Sequence, residues 1–257
     1  MRPPVVVLMR VLNGEPTLSR TLTSLVRQEY DGPVTVVARV DASTTDATEF
    51  IIKGYAEEQP DWDWRIERSD QHETLWTATR KEYGRLPDGL LYTLDAGNRL
   101  AAGRFVNGWD CHPTPRPVCV NMVVVLADPG IHELRNLEVK LPTDDPPVPS
   151  FAELCVAGWF DTLCLRLDCR FAREVLAPLM RHTDEELGED HFGTLVARHL
   201  DGLCTHAAYA GDYFVTRNSL DHTTHKANPN KVAQVVRLAN GLVDGGEVAR
   251  LAAAYFK

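Results

Sequence analysis

The chain has 257 residues, 44% of them hydrophobic and 25% charged, with a formal net charge of −9. That length allows one sizeable buried core, and the acidic balance excludes a broad basic surface for nucleic acid. A phosphate-bearing ligand stays compatible with this charge if a divalent cation supplies positive charge locally. The six cysteines, Cys111, Cys119, Cys155, Cys164, Cys169 and Cys204, form no C-x-x-C pair, so a zinc knuckle and a thioredoxin-type motif are excluded. Met1–Met9 lacks a signal-peptide core, and no apolar run reaches the roughly 20 residues of a membrane span. With scattered reduced thiols, these features point to a cytoplasmic protein.

The elements follow in chain order. Val5–Met9 (VVVLM) reads as a strand buried on both faces, and Asn13-Gly14 as the turn after it. Leu18, Leu22, Leu25 and Val26 recur at helical spacing, which predicts a helix from Thr17 to about Gln28, with Pro16 at a favoured starting position. Pro33–Val40 is a second strand and Asp41–Asp46 a polar loop. Thr45–Glu58 is a helix expected to turn Phe50, Ile51 and Tyr55 inward. Trp62–Glu67 alternates as a third strand, Leu75–Leu86 fits a helix stopped by Pro87 and Gly89, and Leu90–Leu94 is a fourth strand ending at Asp95. Strands alternating with helices imply right-handed βαβ units and a mostly parallel sheet flanked by helices, an α/β fold.

Beyond Asp95 the pattern is less regular. Pro117–Leu126 contains a strong strand, and Asp128–Ser150, rich in proline and charge, reads as a long loop or flap. Leu163–Leu167 fits a strand. Phe171–Met180, His191–Leu200, Lys231–Asn240 and Gly246–Phe256 fit helices.

Ligands of open parallel sheets bind beyond the carboxyl ends of the strands. Those ends offer Arg10–Glu15, Asp41–Asp46, Asp70–Glu73 and Asp95–Arg99. Neither G-x-G-x-x-G after the first strand nor G-x-x-x-x-G-K-[ST] occurs, which argues against a dinucleotide site and a P-loop.

Four segments, in order, resemble the family 2 glycosyltransferases of GT-A fold. They are Leu12-Asn13-Gly14 before the first helix, Asp41-Ala42-Ser43-Thr44-Thr45-Asp46, Asp95-Ala96-Gly97-Asn98, and Gly188-Glu189-Asp190-His191. The resemblance spans Val5 to Arg217 and implies an inverting transfer of sugar from a nucleotide-sugar donor to a hydroxyl acceptor. It implies Asp190, beside Glu189, as the catalytic base. It also implies Asn13 and Asp41 lining the nucleoside pocket and Asp95 at a metal or the ribose–phosphate; Arg80 is a further candidate for the diphosphate. A divalent cation, Mg²⁺ or Mn²⁺, would be held by Asp95 and Asn98, with His222 or His225 completing its shell.

Two positions depart from the family pattern. Ala42 replaces the second aspartate of the donor loop, and Gly97 replaces the second carboxylate of the Asp-x-Asp element. A hard cation prefers anionic oxygen, so the metal site is weakened there.

The domain expectation is a GT-A-like unit over 1–225, with a nucleotide-sugar half (1–100), an acceptor half (101–225) and a helical extension at 226–257. Structural alternatives exist for each motif. Glu189-Asp190 suits the positive end of a helix, and Thr45-Asp46 suits a helix cap. Asp95 is the hardest to explain structurally, since an unpaired carboxylate at the end of a buried strand is costly. The rival functions are a sugar nucleotidyltransferase and a non-catalytic nucleotide- or glycan-binding homologue.

Overall fold

The structure is a computed structural model that describes residues 2–73, 75–100, 102–110, 118–119, 124–126, 135–137, 165–180, 205–206 and 213–214. Its first strand, β1 (Val5–Val11), is buried at every position, and Arg10 is its single charged residue. A strand covered on both faces has no polar side, which is why its sequence is a continuous apolar run. β1 pairs in parallel with β2 (Val34–Val40) on one side and β4 (Leu90–Thr93) on the other, and β3 (Asp63–Arg68) extends the parallel set beyond β2.

Helix α1 (Glu15–Val26) follows β1, α2 (Thr48–Glu58) follows β2, and α3 (Leu75–Tyr83) follows β3. Leu18, Leu22 and Leu25 of α1 are fully buried with Val5, Val7 and Met9 in the core. Each such leucine contributes about 1.5–3 kcal/mol by leaving water. Past β4 come a short strand β5 (Arg99–Leu100) and helix α4 (Arg104–Asp110). β6 (Val118–Cys119), β7 (Val124–Leu126), β8 (Arg135–Leu137) and β9 (Leu165–Asp168) follow, and the last described strands are β10 (Thr205–His206) and β11 (Tyr213–Phe214).

The main sheet has seven strands in the order β10-β6-β9-β4-β1-β2-β3. β9 runs antiparallel to both β4 and β6, so the sheet is mixed but mostly parallel. β11 pairs with β5, and β7 with β8, in separate two-stranded sheets. After β9 the chain turns at once into helix α5, which opens as Cys169–Phe171, passes through a π turn at Ala172–Leu176 and closes as Ala177–Met180. Asp168 caps it by accepting the amides of Arg170 and Phe171.

The first two helices also cap each other. Asp46 Oδ2 accepts the amide of Glu15 at 3.0 Å, and Glu15 Oε2 accepts the amide of Ala47 at 3.0 Å. Asn13, at φ 47°, accepts the Thr45 amide at 2.9 Å, and the Gly14 amide donates to Thr48 Oγ1 at 2.7 Å. The donors at each helix start are thus satisfied from the neighbouring loop.

Several expectations are corrected. Phe50 is 80% exposed, not inward. Thr48 and Ile52 are the buried positions of α2, and Phe50 lies two residues from each, on the other side of the helix. Of the stretch Pro117–Leu126, the described residues form β6, in the main sheet, and β7, paired with β8. α2 starts at Thr48 rather than Thr45, and α3 stops at Tyr83 rather than Leu86. The expected helices at 191–200, 231–240 and 246–256, the 128–150 flap and the 226–257 extension lie outside the described residues, the strand triplet β8 within the flap excepted.

Candidate active site

The carboxyl ends of β1, β2 and β3 open onto a cavity of about 330 Å³. Arg10 lines it from β1, Leu12 from just beyond β1, Asp41 from beyond β2, and Ser69, His72 and Glu73 from the segment between β3 and α3. This is where an open parallel sheet places a ligand.

Asp41 is the most heavily bonded carboxylate there. Its Oδ1 accepts the Ser43 amide at 2.8 Å and the Ser43 hydroxyl, and lies 3.0 Å from His72 Nδ1. Its Oδ2 accepts the amide of Glu73 at 3.0 Å. Burial alone would raise this carboxyl, but the bonds from Glu73, Ser43 and His72 outweigh burial and hold it far below the ordinary carboxylate range. Asp41 is therefore a fixed, ionised acceptor facing the cavity.

A larger cavity of about 540 Å³ adjoins the first, and Arg39 lines both. Arg39, Lys81 and Arg85 among its lining residues are already paired. Arg39 lies 3.1 Å from Glu67, 3.4 Å from Glu73 and 3.7 Å from Glu82, while Arg85 reaches Glu67 and Glu82, and Lys81 reaches Glu73. This network ties α3 to β2 and β3, and its compensated charge makes it a poor ligand site despite its size. Arg80 lines neither cavity.

The other carboxylate expected at a strand end is Asp95. It is not unpaired: Arg10 Nη2 lies 3.5 Å from its Oδ1, and its side chain is 36% exposed. The pairing follows from register. Leu8 is opposite Thr93 in the parallel β1–β4 pair, so Arg10 and Asp95, each two residues on, meet across it. Arg10 also donates to Thr79 of α3. Beyond Asp95 the chain turns, with the Asn98 amide on the Asp95 carbonyl at 3.1 Å and the Gly97 amide on Thr21 Oγ1 at 2.8 Å. Gly97 has φ +97°, a region that a residue with a Cβ enters only under strain.

The sequence reading found Asp41 and Asp95 but assigned no role to Arg10, His72 or Glu73. A lone arginine near the end of an apolar strand was the available signal for Arg10. His72 and Glu73 carried none beyond their place after a strand. Asn13 is spent on the loop clasp, and Asn98 is buried at 6% exposure. Glu189, Asp190 and His222 lie outside the described residues.

The mostly parallel sheet with flanking helices, opening its cavity at the strand ends, is the GT-A glycosyltransferase fold. Residues 6–82 match the family described as Glycosyl transferase family 2. No curated protein matches the chain. Among solved structures, S. aureus TarS 1-349 in complex with UDP-GlcNAc is similar, with a TM-score of 0.64 at 13% identity over 91% of this chain. The chain spans 65% of that TarS chain. The mannosyltransferase PcManGT from Pyrobaculum calidifontis, in complex with GDP-Man and Mn2+, gives a TM-score of 0.61 at 18% identity, over 99% of this chain and 70% of that one. GalNAc-T7 with UDP, GalNAc and Mn2+ gives 0.60 at 12% identity, over 91% and 48%. At such identities the likeness is one of fold.

Two of these neighbours hold Mn2+ in their structures. Of the residues expected at the metal, the two that are described, Asp95 and Asn98, do not fit it. Asp95 faces a guanidinium, Gly97 offers no carboxylate, and Asn98 is neutral. Among the described residues no three His, Cys, Asp or Glu side chains gather to hold a metal. Among them, too, no helix is long and apolar enough to cross a membrane.

Proposed function

We propose that this chain transfers a sugar from a nucleotide-diphosphate sugar to a hydroxyl acceptor, with inversion at the anomeric carbon. The observation that carries this reading is the cavity at the ends of β1, β2 and β3, lined by an ionised Asp41, within the family 2 segment. A carboxylate held in place by fixed donors can accept a further bond from a nucleobase or ribose without reorganising. TarS and PcManGT, which share the fold, are seen with UDP-GlcNAc and GDP-Man, and this supports a nucleotide-sugar donor here. In this reading residues 1–100 hold the donor and 101–225 the acceptor, a small soluble metabolite.

As the acceptor oxygen attacks, its proton must go to a base within hydrogen-bond reach. Asp190, beside Glu189, takes that role by its place in the sequence pattern. The test is a transfer assay with UDP-, GDP- and dTDP-sugars and a panel of hydroxyl acceptors, reading released nucleoside diphosphate and the product's anomeric configuration. Acceptor-dependent release with inverted product is expected. Asp190→Asn should lower the rate by about 10²–10⁴-fold. Its donor affinity should stay within about twofold of the parent. An unchanged rate in that variant removes Asp190 as the base. Nucleotide binding with no turnover for any donor would instead favour the non-catalytic alternative, to which Ala42 and Gly97 lend weight.

A further inference from the structure

We propose that the guanidinium of Arg10 stands where a divalent cation would otherwise meet the donor's diphosphate, so that nucleotide binding at this site needs no metal. The inference rests on the nucleotide-sugar reading and concerns the charge that reading requires. A nucleoside diphosphate brings at least two negative charges into a chain with a formal net charge of −9, so local positive charge has to come from somewhere.

Arg10 is placed to supply it. The side chain is only 5% exposed, yet it lines the cavity shared with Asp41 and His72. Thr79 and Asp95 hold its two terminal nitrogens, which fixes the plane of the guanidinium before any ligand arrives. A planar fork of donors suits the oxygens of a phosphate, and an arginine keeps its charge at every working pH.

The same geometry opposes a cation. A metal at Asp95 would sit beside a buried guanidinium already 3.5 Å from that carboxylate. The second carboxylate cannot be restored cheaply, because Gly97 holds φ +97° with its amide on Thr21. Space is not the obstacle: a Cβ at Gly97 would meet only Thr17, at 3.5 Å. The backbone turn itself penalises an aspartate there.

The experiment uses the full chain, stripped with EDTA and titrated calorimetrically with UDP, GDP and dTDP, once in EDTA and once in excess MnCl₂. The nucleotide that binds best should do so in both media with Kd values within about threefold. Arg10→Gln should weaken that nucleotide by at least about tenfold, the effect of losing a hydrogen bond to a charged group. The matching nucleoside, which has no phosphate, should change by less than about twofold. Arg10→Lys, which keeps the charge but not the fork, should recover part of the loss. If Arg10→Gln fails to fold, the wild-type comparison and Arg10→Lys still decide.

Binding that needs Mn2+, or an Arg10→Gln variant that binds diphosphate as tightly as the parent, overturns the proposal and leaves the nucleotide-sugar reading standing. Equal loss of nucleoside and diphosphate also overturns it, since Arg10 would then be shaping the cavity rather than contacting phosphate. If no nucleotide binds in either medium, the proposal and the donor reading fall together.

Discussion

Asp41 and Asp95 each follow a parallel strand at the same edge of the sheet, and they are held in opposite ways. Asp41 is gripped by two backbone amides, one from its own loop and one from the segment after β3, with Ser43 and His72 beside them. Asp95 is held by a charge, one guanidinium at 3.5 Å, with over a third of its side chain exposed. A carboxylate bound by backbone amides is part of the frame. One bound by a side chain is an adjustable counter-ion. The difference separates a carboxylate fixed by the backbone from one whose partner is a side chain.

The sharpest way to break that comparison is to delete both carboxylates. Asp41→Ala strands the amides of Ser43 and Glu73 and should lower stability by about 2–3 kcal/mol in urea unfolding. Asp95→Asn, which removes the charge but leaves an oxygen to accept from the buried Arg10, should lose no more than about 1 kcal/mol. Equal losses would mean that Asp95 is as embedded as Asp41.

Acid should sharpen the same contrast. The folded Asp41 carboxyl lies below its ordinary value of 3.8, so its stabilisation is complete above that pH and lost as pH falls through the folded value. Glu73 behaves likewise: burial would raise it, but Lys81 and Arg39 bring it below 4.5. The stability gap between the parent chain and Asp41→Ala should therefore be constant near neutrality and shrink below about pH 4. A gap unchanged in acid would show that the ionised form is not what the amides hold.

Gly97→Asp rebuilds the missing second carboxylate. It should cost about 1–2 kcal/mol in backbone strain, visible as a lower urea midpoint, and it should not make nucleotide binding Mn2+-dependent. A stable variant with new Mn2+ dependence would remove the backbone from the explanation. The smallest effect is expected at the loop clasp, where Asp46→Ala should lose about 1 kcal/mol, the usual value of a helix cap. Less than a few tenths would mean that the Asp46–Glu15 bond is not formed in solution.

How far the sequence foretold this depends on the distance over which each feature is decided. The alternation of strands and helices through Leu90–Thr93 was readable because buried parallel strands are apolar along their whole length, as VVVLM and LLYT are. The starts of α1 and α2 were misread by two and three residues because their caps come from one another's loops. Local capping rules do not see that. Asp41 and Asp95 were found as strand-end carboxylates. Their partners were not, because Arg10 reaches Asp95 across the β1–β4 register and Glu73 reaches Asp41 across the β2–β3 exit. Phe50 was misplaced by counting an apolar residue as buried without asking which face of its helix it occupies.

The mutual capping of α1 and α2 has a dynamic meaning. The Glu15 amide is bonded by Asp46 and the Ala47 amide by Glu15, so a parting of the two loops releases both together. Solvent exchange at both sites then reports one shared opening rather than two frayed ends. The loop that begins at Asp41 is thereby tied to the start of the helix before it.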